Sequence, residues 1–145
     1  MDQAILEIRN LETRFETSAG TAQAVDGVSL SLKAGETLCV VGESGCGKSI
    51  TALSVMGLVP HPGKVVGGEI LFHGNDLRRM SQRELGEVRG NQISMIFQDP
   101  SSALNPVHTV GEQIAEVYRL HKGMNQRDAE KASVAMLTAT GIPDP

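Results

Sequence analysis

Residues 41–53 read VGESGCGKSITAL, a glycine-rich turn between an apolar run and a segment with helical spacing. The apolar run at 37–42, TLCVVG, predicts a short strand that is covered on both faces. After the turn, apolar residues recur at intervals of three: Leu53, Met56 and Val59. This spacing predicts a helix that Pro60 and Pro62 stop. Strand, turn and helix therefore follow one another in the order that a phosphate-binding loop requires.

The turn matches the phosphate-loop pattern G-x-x-x-x-G-K-[ST] at every specified position, from Gly42 to Ser49. Successive backbone N–H groups in such a turn point inward and form an anion site, which requires glycine where φ is positive or where a side chain would collide with phosphate. The N-terminus of the following helix adds to the attraction. Lys48 is expected to reach the β- and γ-phosphate oxygens, and Ser49 is expected to ligate Mg²⁺.

The candidate nucleotide-binding residues surround this turn. They are Gly42, Glu43, Ser44, Gly45, Cys46, Gly47, Lys48, Ser49 and Ile50. The Glu43 carboxylate is expected to face solvent, because phosphate would repel it. The alternative interpretation of the whole stretch is a glycine-rich turn that carries a surface lysine.

The segments on either side of this unit have the patterns of strands. Residues 4–11 (AILEIRNL) and 24–32 (AVDGVSLSL) alternate apolar and polar side chains, which predicts an antiparallel sheet. Residues 67–77 (GGEILFHGNDL) predict a strand followed by a turn at Gly74 and Asn75. Residues 93–98 (ISMIFQ) predict another buried strand, which a loop with two prolines follows.

Three helices are predicted in the second half of the chain. A capping box of Ser81 and Glu84 opens a short helix toward Val88. Residues 110–121 (VGEQIAEVYRLH) have helical spacing, and residues 127–141 (RDAEKASVAMLTATG) predict a helix that ends at its last glycine, Gly141. The predicted apolar face of the helix at 110–121 is Val110, Ile114 and Val117.

Composition and charge narrow the classes of function. The 145 residues carry a formal net charge of -4, so the chain lacks the basic footprint of a protein that binds nucleic acid. No run of the sequence approaches the ~18 apolar residues of a membrane-spanning helix. The two cysteines form neither a C-x-x-C pair nor a metal-ligand spacing, which favours a reduced cytosolic setting.

Three segments in a fixed order resemble one protein family. They are GESGCGKS at 42–49, IFQDPSSALNP at 96–106 and VGEQI at 110–114. This set resembles the nucleotide-binding subunit of ATP-binding cassette (ABC) transporters, and within them the dipeptide and oligopeptide importers of bacteria. The resemblance extends from about Leu6 to the last residue.

The resemblance implies an α/β fold, a P-loop NTPase domain of the ABC type that is truncated. Residues 1–145 are expected to be the N-terminal part of one ATP-binding domain. Within it, residues 1–36 form an antiparallel β subdomain, residues 37–98 form the P-loop core with a parallel sheet, and residues 99–145 form the lid-glutamine loop and the start of the helical subdomain.

The resemblance also assigns roles to two residues outside the phosphate loop. Phe15 matches the aromatic residue that stacks on adenine, although a phenylalanine near the end of a strand is as often a core residue. Gln98 matches the lid glutamine, which senses Mg²⁺ and the attacking water through a neutral amide. Its alternative interpretation is a polar residue that merely ends a strand. The implied catalytic residues are Lys48 and Gln98, and the implied metal ligands are Ser49 and Gln98.

The implied cofactors are ATP and Mg²⁺, and the implied partners are other transporter subunits. The region from Gln98 to Pro106, stiffened by Pro100 and Pro106, is expected to contact the transmembrane permease subunits. A second ATP-binding subunit, identical or different, is expected to pair with this one. The protein is accordingly expected at the cytoplasmic face of the plasma membrane, held there by its partners, and not on nucleic acid.

Four elements of a complete cassette ATPase have no match in the sequence: a strand-ending aspartate, the glutamate beside it, a signature loop of the LSGGQ type and the switch histidine. The resemblance therefore implies a truncated chain with little turnover, because phosphoryl transfer depends on positioned charge. It also implies that residues 37–42 lack a neighbouring strand. The alternatives are a non-hydrolysing nucleotide-binding fragment, an importer subunit for nickel or glutathione, and another P-loop enzyme such as a small-molecule kinase.

Overall fold

The computed structural model describes residues 4–99 and 103–144. The chain divides into two compact units, with the boundary between Leu85 and Gly86. The part up to Leu85 is called the N-terminal unit below, and the part from Gly86 onward is called the C-terminal unit.

The N-terminal unit is built on a four-stranded antiparallel sheet with the order β2-β1-β3-β4. Its strands are β1 (Ala4–Thr17), β2 (Gly20–Lys33), β3 (Gly63–Phe72) and β4 (Asn75–Asp76). The prediction of an antiparallel sheet from the alternating segments 4–11 and 24–32 is confirmed. Both strands are longer than the alternating segments, because the pairing continues to the tight turn between Thr17 and Gly20.

The hairpin between β3 and β4 turns one residue earlier than the predicted position at Gly74 and Asn75. Phe72 pairs with Asn75, so His73 and Gly74 are the two loop residues. Both have positive φ, 47° for His73 and 80° for Gly74. Positive φ at both central positions is the geometry of a type I′ turn, whose twist matches that of the strands it joins. A 3-10 helix, Leu77–Arg79, follows β4.

Helix α1 (Lys48–Met56) packs against β1 and β2. It ends before the prolines that were predicted to stop it, because Gly57 adopts a left-handed φ of 61° and donates its N–H to the carbonyls of Leu53 and Ser54. The core consists of buried apolar side chains from the sheet, from α1 and from the two helical segments that follow β4. They are Ile8, Leu11, Val25, Val55, Met56, Ile70, Phe72, Leu77 and Leu85.

The two predicted parallel core strands are not formed in the described residues. Residues 36–43 belong to no strand, and Val41 is 87% exposed. Residues 94–97 also lie outside any strand, and Ile96 is 97% exposed. A strand that is buried on both faces needs a hydrogen-bonded neighbour at each edge and a covering layer on each side. The predictions of burial were wrong because neither segment is part of a ladder among the residues described.

Three helices lie at the boundary and in the C-terminal unit: α2 (Gln82–Val88), α3 (Val110–Lys122) and α4 (Gln126–Ala139). The predicted capping box at α2 is confirmed, since Ser81 N–H donates to Glu84 Oε2 at 2.7 Å and Glu84 N–H donates to Ser81 Oγ at 3.3 Å. The predicted end of the last helix is also confirmed, because Thr140 is its C-cap and Gly141 has a positive φ of 81°.

The buried face of α3 differs from the predicted one. Val110 and Val117 are 44% and 46% exposed, whereas Ala115 is fully buried. Helix α4, which packs against α3, buries Ala129 and Ser133. The side chains that α3 and α4 bury are therefore small ones, and the two predicted valines of α3 stay partly exposed.

The capping box of Thr109 and Glu112 at the start of α3 predicts a pH dependence. Hydrogen bonds from the Thr109 backbone N–H and hydroxyl hold the pKa of Glu112 below its ordinary value. Because the folded-state pKa is depressed, the stabilisation is present above the ordinary pKa of glutamate and is lost as the pH falls through the folded-state value. We expect Glu112→Gln to reduce the loss of helix on acidification, measured by circular dichroism. Glu116→Gln, on the same helix but outside the box, is the control, and equal behaviour of the two variants would contradict the prediction.

Candidate nucleotide-binding site

The glycine-rich loop curls between the exposed segment 36–43 and the first residue of α1. Gly45 and Gly47 have φ values of 85° and 93°, a region that other residues enter only with strain. Within the loop, Cys46 N–H donates to the Glu43 carbonyl at 3.4 Å. The two left-handed glycines reverse the chain twice within three residues, so that the loop leads directly into the helix.

The N-terminus of α1 is open toward the loop. Gly47 is the N-cap residue, and no side chain caps the helix. The first intrahelical bond is donated by Thr51 N–H to the Gly47 carbonyl at 2.8 Å, so the amides of the first turn have no partner in the helix. Amides of this kind carry partial positive charge and point along the helix axis at whatever lies before it. The arrangement therefore favours an anion at the loop.

Lys48 places its ammonium group inside the curl of the loop. Its Nζ donates to the carbonyl oxygens of Gly42 and Glu43, both at 2.7 Å, and lies 3.4 Å from Cys46 Sγ. The side chain thus folds back over the loop and does not extend into solvent. A cation held next to open backbone amides is a suitable partner for phosphate oxygens.

One glycine of the loop, Gly47, lies where a side chain would not fit, and a second, Gly42, lies close to the movable Cys46 side chain. A Cβ on Gly47 would overlap the carbonyl oxygen of Ala24 in β2, and a Cβ on Gly42 would lie 2.6 Å from Cys46 Sγ. The loop is therefore pressed against the sheet on one side and closed around Lys48 on the other. Backbone approaches this close are the reason that a phosphate cradle needs glycine, so the residues present fit a bound phosphate chain.

The remaining loop candidates differ in their exposure. Glu43, Ser44 and Cys46 are exposed, as is Ser49 on the first turn of α1, and Ile50 is half-buried. A nucleotide could therefore reach the Ser49 hydroxyl. Among the residues described, no group of three or more histidine, cysteine, aspartate or glutamate side chains could hold a metal ion. Of the two predicted magnesium ligands, Ser49 and Gln98, Ser49 lies beside the loop at the start of α1.

Phe15 lies near the end of β1 in the same unit as the loop. It pairs with Ala22 on β2 and with Gly63 on β3. Its ring covers Gly63, since a Cβ there would lie 2.6 Å from Phe15 Cε1 and 2.7 Å from Val59 Cγ1. The ring is half-buried, so one part of it packs on the protein and another part stays accessible.

Gln98 lies in the C-terminal unit, at an exposed bend. The structure therefore brings Phe15, the loop and Lys48 together in one unit and places Gln98 in the other. Of the region predicted to contact permease subunits, Pro100, Ser101 and Ser102 lie outside the described residues.

Sequence reasoning missed Gln113, the residue that holds the end of the region from Gln98 to Pro106. Gln113 Nε2 donates to the carbonyls of Asn105 and His108, both at 3.1 Å, and Gln113 Oε1 accepts from Asn105 N–H at 3.0 Å. The glutamine thereby ties residues 105–108 to α3. The sequence signal was the glutamine inside VGEQI at 110–114. Helical spacing alone does not explain a glutamine at that position.

A buried hydroxyl pair beneath α1 was also missed. Thr13 Oγ1 lies 2.9 Å from Ser54 Oγ, and both residues are buried. The sequence signal was a polar residue at the inward position of β1, between Leu11 and Phe15, which point to the same face. Alternation identifies such a position, but it does not identify the partner 41 residues away.

Comparison with known proteins agrees with these features. The family model described as ABC transporter matches residues 25–142. The dipeptide transport ATP-binding protein DppD of Bacillus subtilis is 51% identical over 144 residues, which cover 99% of this chain and 43% of that protein. The oligopeptide transport ATP-binding protein OppD of the same organism is 47% identical, over 97% of this chain and 40% of that protein. DppD of Escherichia coli K12 is 42% identical, over 98% of this chain and 43% of that protein.

Solved structures support the fold. The dimeric structure of MJ0796, a bacterial ABC transporter cassette, has a TM-score of 0.76 and 24% identity, and the match covers 92% of this chain and 56% of that one.

Among the described residues, no helix combines the length and the apolar character that crossing a membrane requires.

The chain spans 40–43% of the length of these three curated relatives. The matches cover nearly all of this chain, which contains the glycine-rich loop, Lys48 folded over it, and the antiparallel sheet. The ABC-type fold class and the resemblance to peptide importers are thereby confirmed, and the chain belongs to the ABC transporter family.

Proposed function

We propose that this chain binds ATP through residues Gly42–Ile50, as the N-terminal part of the ATP-binding domain of a peptide importer. The observation that carries the proposal is the position of Lys48, whose ammonium group lies inside a glycine loop at the uncapped start of α1. In this proposal, Lys48 exchanges its bonds to the loop carbonyls for bonds to phosphate oxygens, which are stronger because both groups are charged.

The other candidate residues have complementary roles in the proposal. The loop amides bind the phosphates, Ser49 ligates Mg²⁺, and Phe15 offers its accessible ring to adenine. Gln98 acts at the γ-phosphate and the metal. Bound Mg²⁺ would neutralise charge on the phosphate oxygens. The proposed division of the chain is an antiparallel subdomain at 1–36, a P-loop core at 37–98, and the lid-glutamine loop with the start of a helical subdomain at 99–145.

The proposed biological role is ATP-driven import of peptides. Relatives that match nearly the whole chain are named dipeptide or oligopeptide transport ATP-binding proteins, which favours peptides over nickel or glutathione. A second ATP-binding subunit is a proposed partner, supported by the dimeric form of the MJ0796 cassette. Permease subunits are proposed to contact the region from Gln98 to Pro106, which would hold the protein at the cytoplasmic face of the plasma membrane.

The second candidate function is nucleotide binding without turnover. It is favoured by a feature of the sequence, since these 145 residues contain neither an LSGGQ-like segment nor an apolar run that ends in Asp-Glu. Hydrolysis needs charged groups positioned around the γ-phosphate and the water. Release of phosphate from ATP by this chain alone would contradict this second candidate, and it would leave the first in place.

The test is a titration of the chain with a fluorescent ATP analogue in the presence of Mg²⁺. We expect Lys48→Ala to weaken binding about 10- to 100-fold, because a hydrogen bond to a charged group contributes about 1.5–3 kcal/mol. Lys64→Ala, which removes an exposed lysine of β3 in the same unit, is the matched control and should bind as the wild type does. Equal affinity of the Lys48→Ala variant and the wild type would overturn the proposal.

A further inference from the structure

Two hydroxyl groups are buried beneath α1. Thr13 is 0% and Ser54 is 3% exposed, and within the described part of the N-terminal unit they are the buried polar residues. Their oxygens lie 2.9 Å apart. Buried hydroxyls are retained where they fix a particular arrangement, since apolar side chains would fill the same space without needing partners.

The direction of this hydrogen bond follows from the number of protons. Ser54 Oγ lies 2.7 Å from the Ile50 carbonyl and donates its proton there. A serine hydroxyl has one proton, so Ser54 accepts from Thr13 Oγ1–H. The bond therefore runs from β1 to α1, and it joins the helix to this strand through two side chains.

At the other end of the helix, the backbone of Gly47 lies close against the sheet. Thr13 pairs with Val25 and Arg14 with Gln23, so Ala24 is an extra, bulged residue of β2. The Ala24 carbonyl is the group that a Cβ on Gly47 would overlap. Gly47 and Ser54 are about 10 Å apart along a helix with a rise of 1.5 Å per residue. Contacts at both of these points fix the direction of α1 and not only its distance from the sheet.

The same strand carries Phe15. Thr13 and Phe15 point to one face of β1, and the ladder to β3 is regular between them, with Thr13 opposite Val65 and Phe15 opposite Gly63. The aromatic ring and the phosphate loop are thus connected through the Thr13–Ser54 bond. A nucleotide can use both contacts at once only when the ring and the loop lie within its span, and a site that holds them in place in advance binds it better.

We infer that Thr13 and Ser54 are a positioning pair that sets the phosphate loop relative to Phe15 and so determines how much the base adds to nucleotide affinity. This inference rests on the proposed function. Neither hydroxyl touches the nucleotide. Their effect is on the stacking of the base, which is worth about tenfold or more in affinity when an aromatic side chain provides it.

The experiment compares ATP with inorganic tripolyphosphate, which has the phosphates without the base. Competition against the fluorescent ATP analogue gives the affinity for each ligand. We expect Thr13→Val, which keeps the shape but removes the donor, to weaken ATP binding about 5- to 10-fold and to leave tripolyphosphate binding unchanged. Thr13→Ser keeps the hydroxyl and should retain the wild-type ratio of the two affinities.

Several outcomes overturn the inference. If a folded Thr13→Val variant keeps the wild-type ratio, or loses affinity for both ligands equally, the pair does not position the base site. If Thr13→Val does not fold, Thr13→Ser decides the question. A changed ratio of the ATP and tripolyphosphate affinities in Thr13→Ser overturns the inference, and a ratio equal to that of the wild type supports it. If the wild-type chain binds neither ligand, the proposed function itself fails, and the inference fails with it.

Discussion

Replacing Gly47 with alanine is expected to abolish nucleotide binding and to lower the free energy of unfolding by about 2–5 kcal/mol. A non-glycine residue in the left-handed region costs about 1–2 kcal/mol, and Gly47 has a φ of 93°. The added methyl group would also overlap the Ala24 carbonyl, and overpacking typically costs about 1–3 kcal/mol. The backbone of a sheet moves little, so the loop would have to shift to make room for the methyl group. Movement of the loop would displace the amides that are proposed to bind phosphate.

Two alanine variants separate these contributions. Gly45 has a φ of 85°, but a methyl group there would meet no other atom within 4 Å, so Gly45→Ala should cost only the conformational strain. Gly86 is exposed in α2 and has open space around it, so Gly86→Ala should be neutral or stabilise by about 1 kcal/mol. Urea unfolding and the nucleotide titration measure all three variants. A Gly47→Ala variant that is no less stable than Gly45→Ala would show that the contact with Ala24 is unimportant.

Ser54→Ala is expected to destabilise the N-terminal unit by about 2–3 kcal/mol, more than Thr13→Val. Removing Ser54 leaves the fully buried Thr13 hydroxyl without its acceptor, and an unsatisfied buried donor costs about 1–3 kcal/mol. Removing the Thr13 hydroxyl instead leaves Ser54 bonded to the Ile50 carbonyl, so this change should cost only about 1 kcal/mol. The asymmetry follows from the direction of the bond.

A double-mutant cycle in urea measures both costs and their coupling. The double variant should lose less than the sum of the single variants, because the same bond is removed in each. Ser31→Ala, at an exposed position of β2, is the control and should change the unfolding free energy very little. If Thr13→Val proves more costly than Ser54→Ala, the donor and the acceptor are assigned the wrong way round.

The tight turn of the glycine-rich loop was predictable from sequence because its geometry is local. Gly45 and Gly47 have left-handed φ values, and the Lys48 side chain reaches the carbonyl of Gly42. All of these residues lie close together in the sequence. The same holds for the capping box of Ser81 and Glu84, whose partners are three residues apart. Such features depend on side-chain chemistry and short-range stereochemistry, both of which can be read from the order of residues.

Burial was predicted less well, because it is a property of neighbours. Residues 37–42 and 93–98 have the apolar character of core strands, but no ladder pairs them among the residues described. On α3, the valines are larger and more apolar than Ala115, yet Ala115 is the residue that is buried. Periodicity identifies a helix or a strand, and the shape of the facing element decides which of its side chains are covered.

By itself, the sequence determined the glycine-rich loop that leads into α1, the capped start of α2 and the antiparallel pairing of the alternating strands. Only the tertiary structure decided that Ala24 supports Gly47, that Thr13 is bonded to Ser54, and which apolar residues stay exposed. The physical reason is the distance along the chain. Interactions within a turn are encoded by adjacent residues, whereas contacts between distant segments exist only after the sheet and the helix have packed together.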